Sequence, residues 1–98
     1  MTERGSTGEY VVECFWPGVD TEALRSLDAR ATVSSGELTS GGLPVRYLGS
    51  LLMRDDEVVL CLFEGTEAAV RQAAERAEVP FERILEADRS PWPISQNT

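Results

Sequence analysis

Val58-Val-Leu-Cys-Leu-Phe63 is apolar without a break, and Glu64-Gly65-Thr66 then leads into Val70, Ala73, Ala74 and Ala77 at helical spacing. A short run rich in β-branched and bulky residues, closed by a glycine, reads as a strand, and the 3.6-residue period after it reads as a helix. A strand apolar on both sides of its pleat belongs in the middle of a sheet. Thr66 suits the N-cap of the helix, and the small alanine side chains predict that it packs close to its sheet. Val79-Pro80 ends it, since proline lacks the N–H that a helix requires, and residues 82–87 then give a short last strand centred on Ile84.

Working back from Val58, Arg54-Asp55-Asp56-Glu57 reads as a charged hairpin turn, preceded by a strand held within Leu43 to Met53 and expected from about Val45 onward. The first strand is Glu9-Tyr-Val-Val-Glu-Cys-Phe-Trp16, broken by Pro17-Gly18. Alternation sends Tyr10, Val12, Cys14 and Trp16 to one face and Val11, Glu13 and Phe15 to the other. Asp20 is a suitable N-cap for a helix from Thr21, with Val19 and Leu24 placed as a hydrophobic staple. Leu24, Leu27 and Ala31 form its apolar stripe, with Glu22, Arg25, Asp28 and Arg30 elsewhere around the helix. Ser34-Ser-Gly-Glu-Leu-Thr-Ser-Gly-Gly42 is poor in helix formers, so the helix is expected to fade by residues 33–35 and a flexible loop to follow.

The order β-α-β-β-α-β, with short hairpins and two one-sided helices, fits a ferredoxin-like α+β fold: a four-stranded antiparallel sheet with both helices on one face. The first and third strands become central neighbours. Residues 1–8 are expected to be a disordered tail, residues 9–88 the domain, and residues 89–98, with Pro91-Trp92-Pro93, an extended arm.

Composition narrows the function. The 98 residues hold 17 acidic and nine basic side chains, a net charge of −8, which repels a phosphate backbone and argues against nucleic acid as a partner. No apolar run approaches the roughly 20 residues that span a bilayer, and residues 1–9 lack the apolar segment of a secretory signal, so a cytoplasmic protein without membrane contact is expected. Cys14 and Cys61 lie in apolar strands rather than in metal-ligand spacing and read as reduced core thiols. With no histidine, imidazole acid/base chemistry and histidine-bearing zinc sites are excluded. The glycines of residues 36–42 lack phosphate-binding spacing.

Helices on one face leave the other bare. Val11, Glu13 and Phe15, with Leu48, Leu60 and Leu62, are expected there, an apolar area larger than a soluble monomer usually exposes. A homodimer packed sheet to sheet, in the manner of a dimeric α+β barrel, covers it and leaves room for a ligand between the layers.

Glu9-Tyr-Val-Val-Glu-Cys-Phe-Trp-Pro-Gly18, Val45-Arg-Tyr-Leu-Gly-Ser50, Cys61-Leu-Phe-Glu64, Ala69-Val-Arg-Gln-Ala-Ala-Glu-Arg-Ala77, Pro80 and Arg83-Ile-Leu-Glu86 together resemble a small bacterial family of domains of unknown function. One of its members is known as a nickel-binding protein. The resemblance covers residues 9–88 and implies a ferredoxin-like fold, often dimeric. The nickel association belongs to histidine-bearing members, so none of those ligands carries over and no metal or other cofactor is expected. The polar residues shared with the family are Glu13, Arg46, Ser50, Glu64 and Arg83.

By strand parity Arg46 and Ser50 share the face of Leu48. If Glu64 points with Leu60 and Leu62, then Glu13, Arg46 and Glu64 meet within an apolar surface. The candidate ligand-binding set is Glu13, Phe15, Arg46, Leu48, Ser50, Leu62 and Glu64, with no catalytic residue assigned. The same charges also read as an ion-pair network that fixes the register of a dimer. The favoured function is a non-enzymatic, dimeric small-molecule-binding or regulatory domain. A cofactor-free isomerase, cyclase or monooxygenase using Glu13 or Glu64 is the alternative, and a protein-interaction domain using the 34–42 loop and the Pro-Trp-Pro arm is another. Ser50 has no histidine or lysine to activate it, which argues against nucleophilic catalysis.

Overall fold

The structure is a computed structural model and describes residues 7–88. Its elements are β1 (Gly8–Phe15), α1 (Thr21–Ser40), β2 (Val45–Met53), β3 (Val58–Gly65), α2 (Glu67–Arg76) and β4 (Arg83–Ala87). The four strands form one antiparallel sheet in the order β2-β3-β1-β4, which is the ferredoxin-like arrangement. The two most apolar strands are the central pair. The Pro-Trp-Pro arm lies outside the described residues.

Alternate residues of the central strands enter the core. Val12 and Cys14 of β1 and Val59, Cys61 and Phe63 of β3 are fully buried, together with Leu27 and Ala31 of α1 and Ala69, Val70, Ala73 and Ala74 of α2. Both helices therefore lie on one side of the sheet. Asp20 caps α1 by accepting a hydrogen bond from the Ala23 N–H at 2.8 Å, and Thr66 caps α2 through Ala69 at 3.1 Å. Val19 and Leu24 both pack against the core, as the staple requires. The two thiols are free and buried, and the adjoining Cys14 thiol together with burial pushes Cys61 well above the ordinary thiol range. That environment makes Cys61 an unreactive core residue.

Two sequence expectations fail. Residues 34–40 are not a loop: α1 runs without a break for 20 residues. Low propensity is overridden by tertiary contacts that propensity does not register. The Ser34 hydroxyl, buried between the helices, donates to the Ala73 carbonyl of α2 at 2.9 Å, and Leu38 is buried in the core. Past the helix end, the Leu43 N–H returns to the Leu38 carbonyl at 2.9 Å. The Thr39 hydroxyl donates to the Val45 carbonyl and accepts from the Val45 N–H, which ties the last turn of α1 to the start of β2.

The second failure is the parity of β2. Tyr47 lies opposite Phe63, but it is Gly49, not Leu48, that lies opposite Leu62, so Leu48 and Gly49 share a bulge. Gly49 takes φ +134°, a conformation that L side chains rarely adopt. Beyond the bulge every side chain of β2 changes face. Ser50 and Leu52 then pair with the core residues Cys61 and Val59, while Leu51 and Met53 turn outward with exposures of 58% and 44%.

Candidate functional site

The face opposite the helices is built by strand register alone. β1 contributes Glu9, Val11, Glu13 and Phe15; β3 contributes Val58, Leu60, Leu62 and Glu64; β4 contributes Arg83, Leu85 and Ala87; β2 contributes Arg46 before the bulge and Leu51 and Met53 after it. Phe15, Leu51, Met53 and Leu85 are each at least 40% exposed, so this apolar side has no cover within the described residues. A shallow cavity of about 460 Å³ lies over it, lined by Val11, Glu13, Met53, Leu60 and Leu85 among others.

Its charges do not converge. Arg46 pairs with Glu64 at 3.0 Å, and Glu13 pairs with Arg83 of β4. Glu64 and Leu60, the residue opposite Glu13, are four positions apart on β3, which is about 13 Å at strand spacing. The face therefore carries two separate ion pairs rather than a cluster of Glu13, Arg46 and Glu64. Sequence parity missed the role of Arg83 as the partner of Glu13, because only the β1–β4 register places it there. Glu13 in turn raises the pKa of the Arg83 guanidinium, chiefly through the hydrogen bond between them.

Of the seven predicted residues, Glu13, Phe15, Arg46, Leu62 and Glu64 occupy this face by register, and Leu48 sits in the bulge with 36% exposure. Ser50 does not join them. The bulge turns it toward α1, where its hydroxyl donates to Asp28 Oδ1 at 2.8 Å. The Tyr47 hydroxyl donates to the same oxygen, so one carboxylate of α1 holds two residues of β2. Burial first, and the Asp28 hydrogen bond second, push the Tyr47 phenol far above its ordinary range. The sequence did contain a sign of this contact: Asp28 stands four residues after Leu24 and three before Ala31, on the margin of the apolar stripe.

An antiparallel sheet with one helical layer and an open apolar face closed by ion pairs defines a small ferredoxin-like α+β domain. The chain belongs to the SCO4226-like family: residues 10–87 match the family described as nickel responsive protein SCO4226-like. The crystal structure of SCO4226 from Streptomyces coelicolor A3(2) is similar in fold, with a TM-score of 0.69 and 18% sequence identity, covering 86% of this chain and 100% of that one. No curated protein matches the sequence significantly.

The residues present do not fit a nickel site. Nickel favours imidazole and thiolate donors, and the chain has no histidine while both its thiols are buried and free. Among the described residues no three carboxylates or thiols come together in a way that would hold a metal ion. Nor is any described helix long and apolar enough to cross a membrane.

Proposed function

We propose that this protein is a non-enzymatic regulatory or carrier domain that acts as a homodimer, sheet against sheet, with a small organic ligand held between the open faces. The observation that carries this reading is the open face itself, where Val11, Phe15, Leu51, Met53, Leu60, Leu62 and Leu85 share one surface. Exposed apolar continuity of this kind marks interaction surfaces in soluble proteins. The Arg46–Glu64 and Glu13–Arg83 pairs frame the surface and supply a register for a second copy.

Membership in a family described as nickel responsive supports a regulatory role, while the donor chemistry of this chain favours an organic ligand over the metal. Engagement of Glu13 by Arg83 favours binding over the acid/base enzyme that the same carboxylate would otherwise suggest. The test is sedimentation velocity combined with native mass spectrometry of protein purified from its own cells. A dimer with a co-purifying small molecule is expected, and Leu60→Arg should yield a folded monomer without it. A wild-type chain that stays monomeric at about 100 μM, where weak dimers still form, refutes the proposal.

A further inference from the structure

Phe15, Leu51, Met53 and Leu85 leave the open face uncovered among the described residues, and the chain departs from that face at a definite corner. Ala87, the last residue of β4, lies opposite Glu9, at the end of the face where Glu9, Glu64 and Arg46 gather. The shallow cavity over the face reaches from this residue to Val11, Leu60 and Leu85. Leu85 and Val11 stand two positions from that end along their strands and Leu60 four. With strands about 4.8 Å apart, all three lie within roughly 16 Å of Ala87.

Residues 89–98, Arg-Ser-Pro-Trp-Pro-Ile-Ser-Gln-Asn-Thr, follow Asp88 and lie beyond residues 10–87 that match the family. Their composition suits a seat on hydrocarbon. Pro91 and Pro93 carry no N–H, so a sheet face can cover them without stranding a donor, and their fixed backbone lowers the entropy lost on docking. Trp92 stands five residues past Ala87, a reach of about 15 Å in the extended conformation that proline favours, before its own side chain is added. That brings its ring over the cavity. Charge agrees: all 17 acidic residues precede position 89, whereas the segment holds one arginine and no carboxylate side chain. Arg89 comes two positions after Ala87, next to the Glu9 and Glu64 end of the face.

We propose that residues 89–98 occupy the open face of their own chain, with the Trp92 indole in the cavity over Val11, Leu60 and Leu85 and Arg89 at its acidic end. This rests on the reading of that face as the interaction surface and adds its regulation, because the segment and a second copy compete for one surface. Tethering favours the chain's own segment: a short linker holds it at an effective concentration of millimolar order, above that of a second copy in dilute solution. If the segment covers about two-thirds of the molecules, about one-third are competent to pair. Both partners must be open, so the dimer weakens about ten-fold.

Trp92→Ser in the full chain removes the ring and leaves the described domain intact. At a dilution where sedimentation shows monomer, amide NMR shifts of wild type and variant should differ at Val11, Leu60, Leu85 and Ala87 and coincide at Val33 and Ala73 of the helices. The wild-type indole should show NOEs to the Leu60 and Leu85 methyls that persist on dilution. Sedimentation equilibrium should find the Trp92→Ser dimer about ten-fold tighter. Identical open-face shifts in the two chains, NOEs that fade on dilution, or a variant dimer no tighter than wild type would each overturn the proposal. If both chains stay monomeric at every concentration yet differ at these four residues, the covered face is supported and the dimer reading falls. If both dimerise equally with identical open-face shifts, the dimer reading stands and this one falls.

Discussion

Removing one oxygen from Tyr47 tests the polar tie between α1 and β2. Tyr47→Phe keeps the ring, whose centroid lies 5.0 Å from that of Phe63, and deletes only the hydroxyl that donates to Asp28. A hydrogen bond to a charged acceptor contributes about 1.5–3 kcal/mol, and partial exposure of this one lowers the expectation to about 1–2 kcal/mol. Ser50→Ala, which removes the second donor to the same oxygen, should cost about 1 kcal/mol, and Asp28→Ala, which orphans both hydroxyls, about 2–3 kcal/mol. Urea denaturation at pH 7 measures the order Asp28→Ala, then Tyr47→Phe, then Ser50→Ala.

The alkaline limb gives an independent reading of the same contact. Burial and Asp28 raise the Tyr47 phenol in the folded state above the value near 10 that it has when unfolded. Its contribution is therefore complete below pH 10 and is lost as the pH climbs toward the folded value. Between pH 10 and 11 linkage removes at most about 1 kcal/mol, less where water reaches the ring. The chain has no lysine, so few groups titrate there besides the tyrosines and the core thiols. Tyr47→Phe should flatten the stability–pH curve above pH 10. A variant within about 0.3 kcal/mol of wild type, with an unchanged alkaline limb, would refute the assignment of Asp28 as the anchor of β2.

Three further substitutions test other parts of the fold. Glu78 follows α2 at φ +58°, its N–H bonding to the Glu75 carbonyl and that of Val79 to Ala74, a Schellman closure in which glycine is preferred; Glu78→Gly should stabilise by about 0.5–1 kcal/mol in thermal unfolding. Gly65→Ala would bring a Cβ to 3.1 Å from the Pro44 carbonyl oxygen, a backbone atom that cannot yield without moving β2, so a loss of about 1–3 kcal/mol and a lower midpoint are expected. Arg30 donates from Nε to the Ala77 carbonyl at 2.7 Å and thereby closes the end of α2 from α1; Arg30→Met, which retains the stem, should cost about 1 kcal/mol and raise hydrogen exchange in the last turn of α2.

The strand order and the central placement of β1 and β3 were legible because both strands state their burial in their composition. Their alternation, with Val12 and Cys14 inward and Glu13 outward, needs no tertiary information. The second half of α1 was not legible. Ser34, Ser35 and Gly36 are loop-forming by intrinsic preference, and what holds them helical is a bond to α2 and the burial of Leu38, both formed only after the chain has folded back. The ion pairs were half legible: Arg46 and Glu64 stand out as charges in apolar strands, whereas the Glu13–Arg83 pair depends on a register between the first and last strands, 70 residues apart.

The bulge at Leu48 and Gly49 decides how the two sides of the sheet differ. One added residue takes the Ser50 hydroxyl off the open face and delivers it to Asp28, and it turns Leu51 and Met53 outward in exchange. A regular β2 would have placed a serine among the leucines outside and left Asp28 with Tyr47 alone. The bulge thus makes the open face more apolar and the helix-side contact more polar in a single step. It also leaves Gly49, which has no side chain, opposite Leu62. By the same register Glu9 lies opposite Glu64, so the charges of the open face gather at the Glu9, Glu64 and Arg46 end and at the Glu13–Arg83 pair, with Val11, Leu60 and Leu62 as the apolar stretch between them.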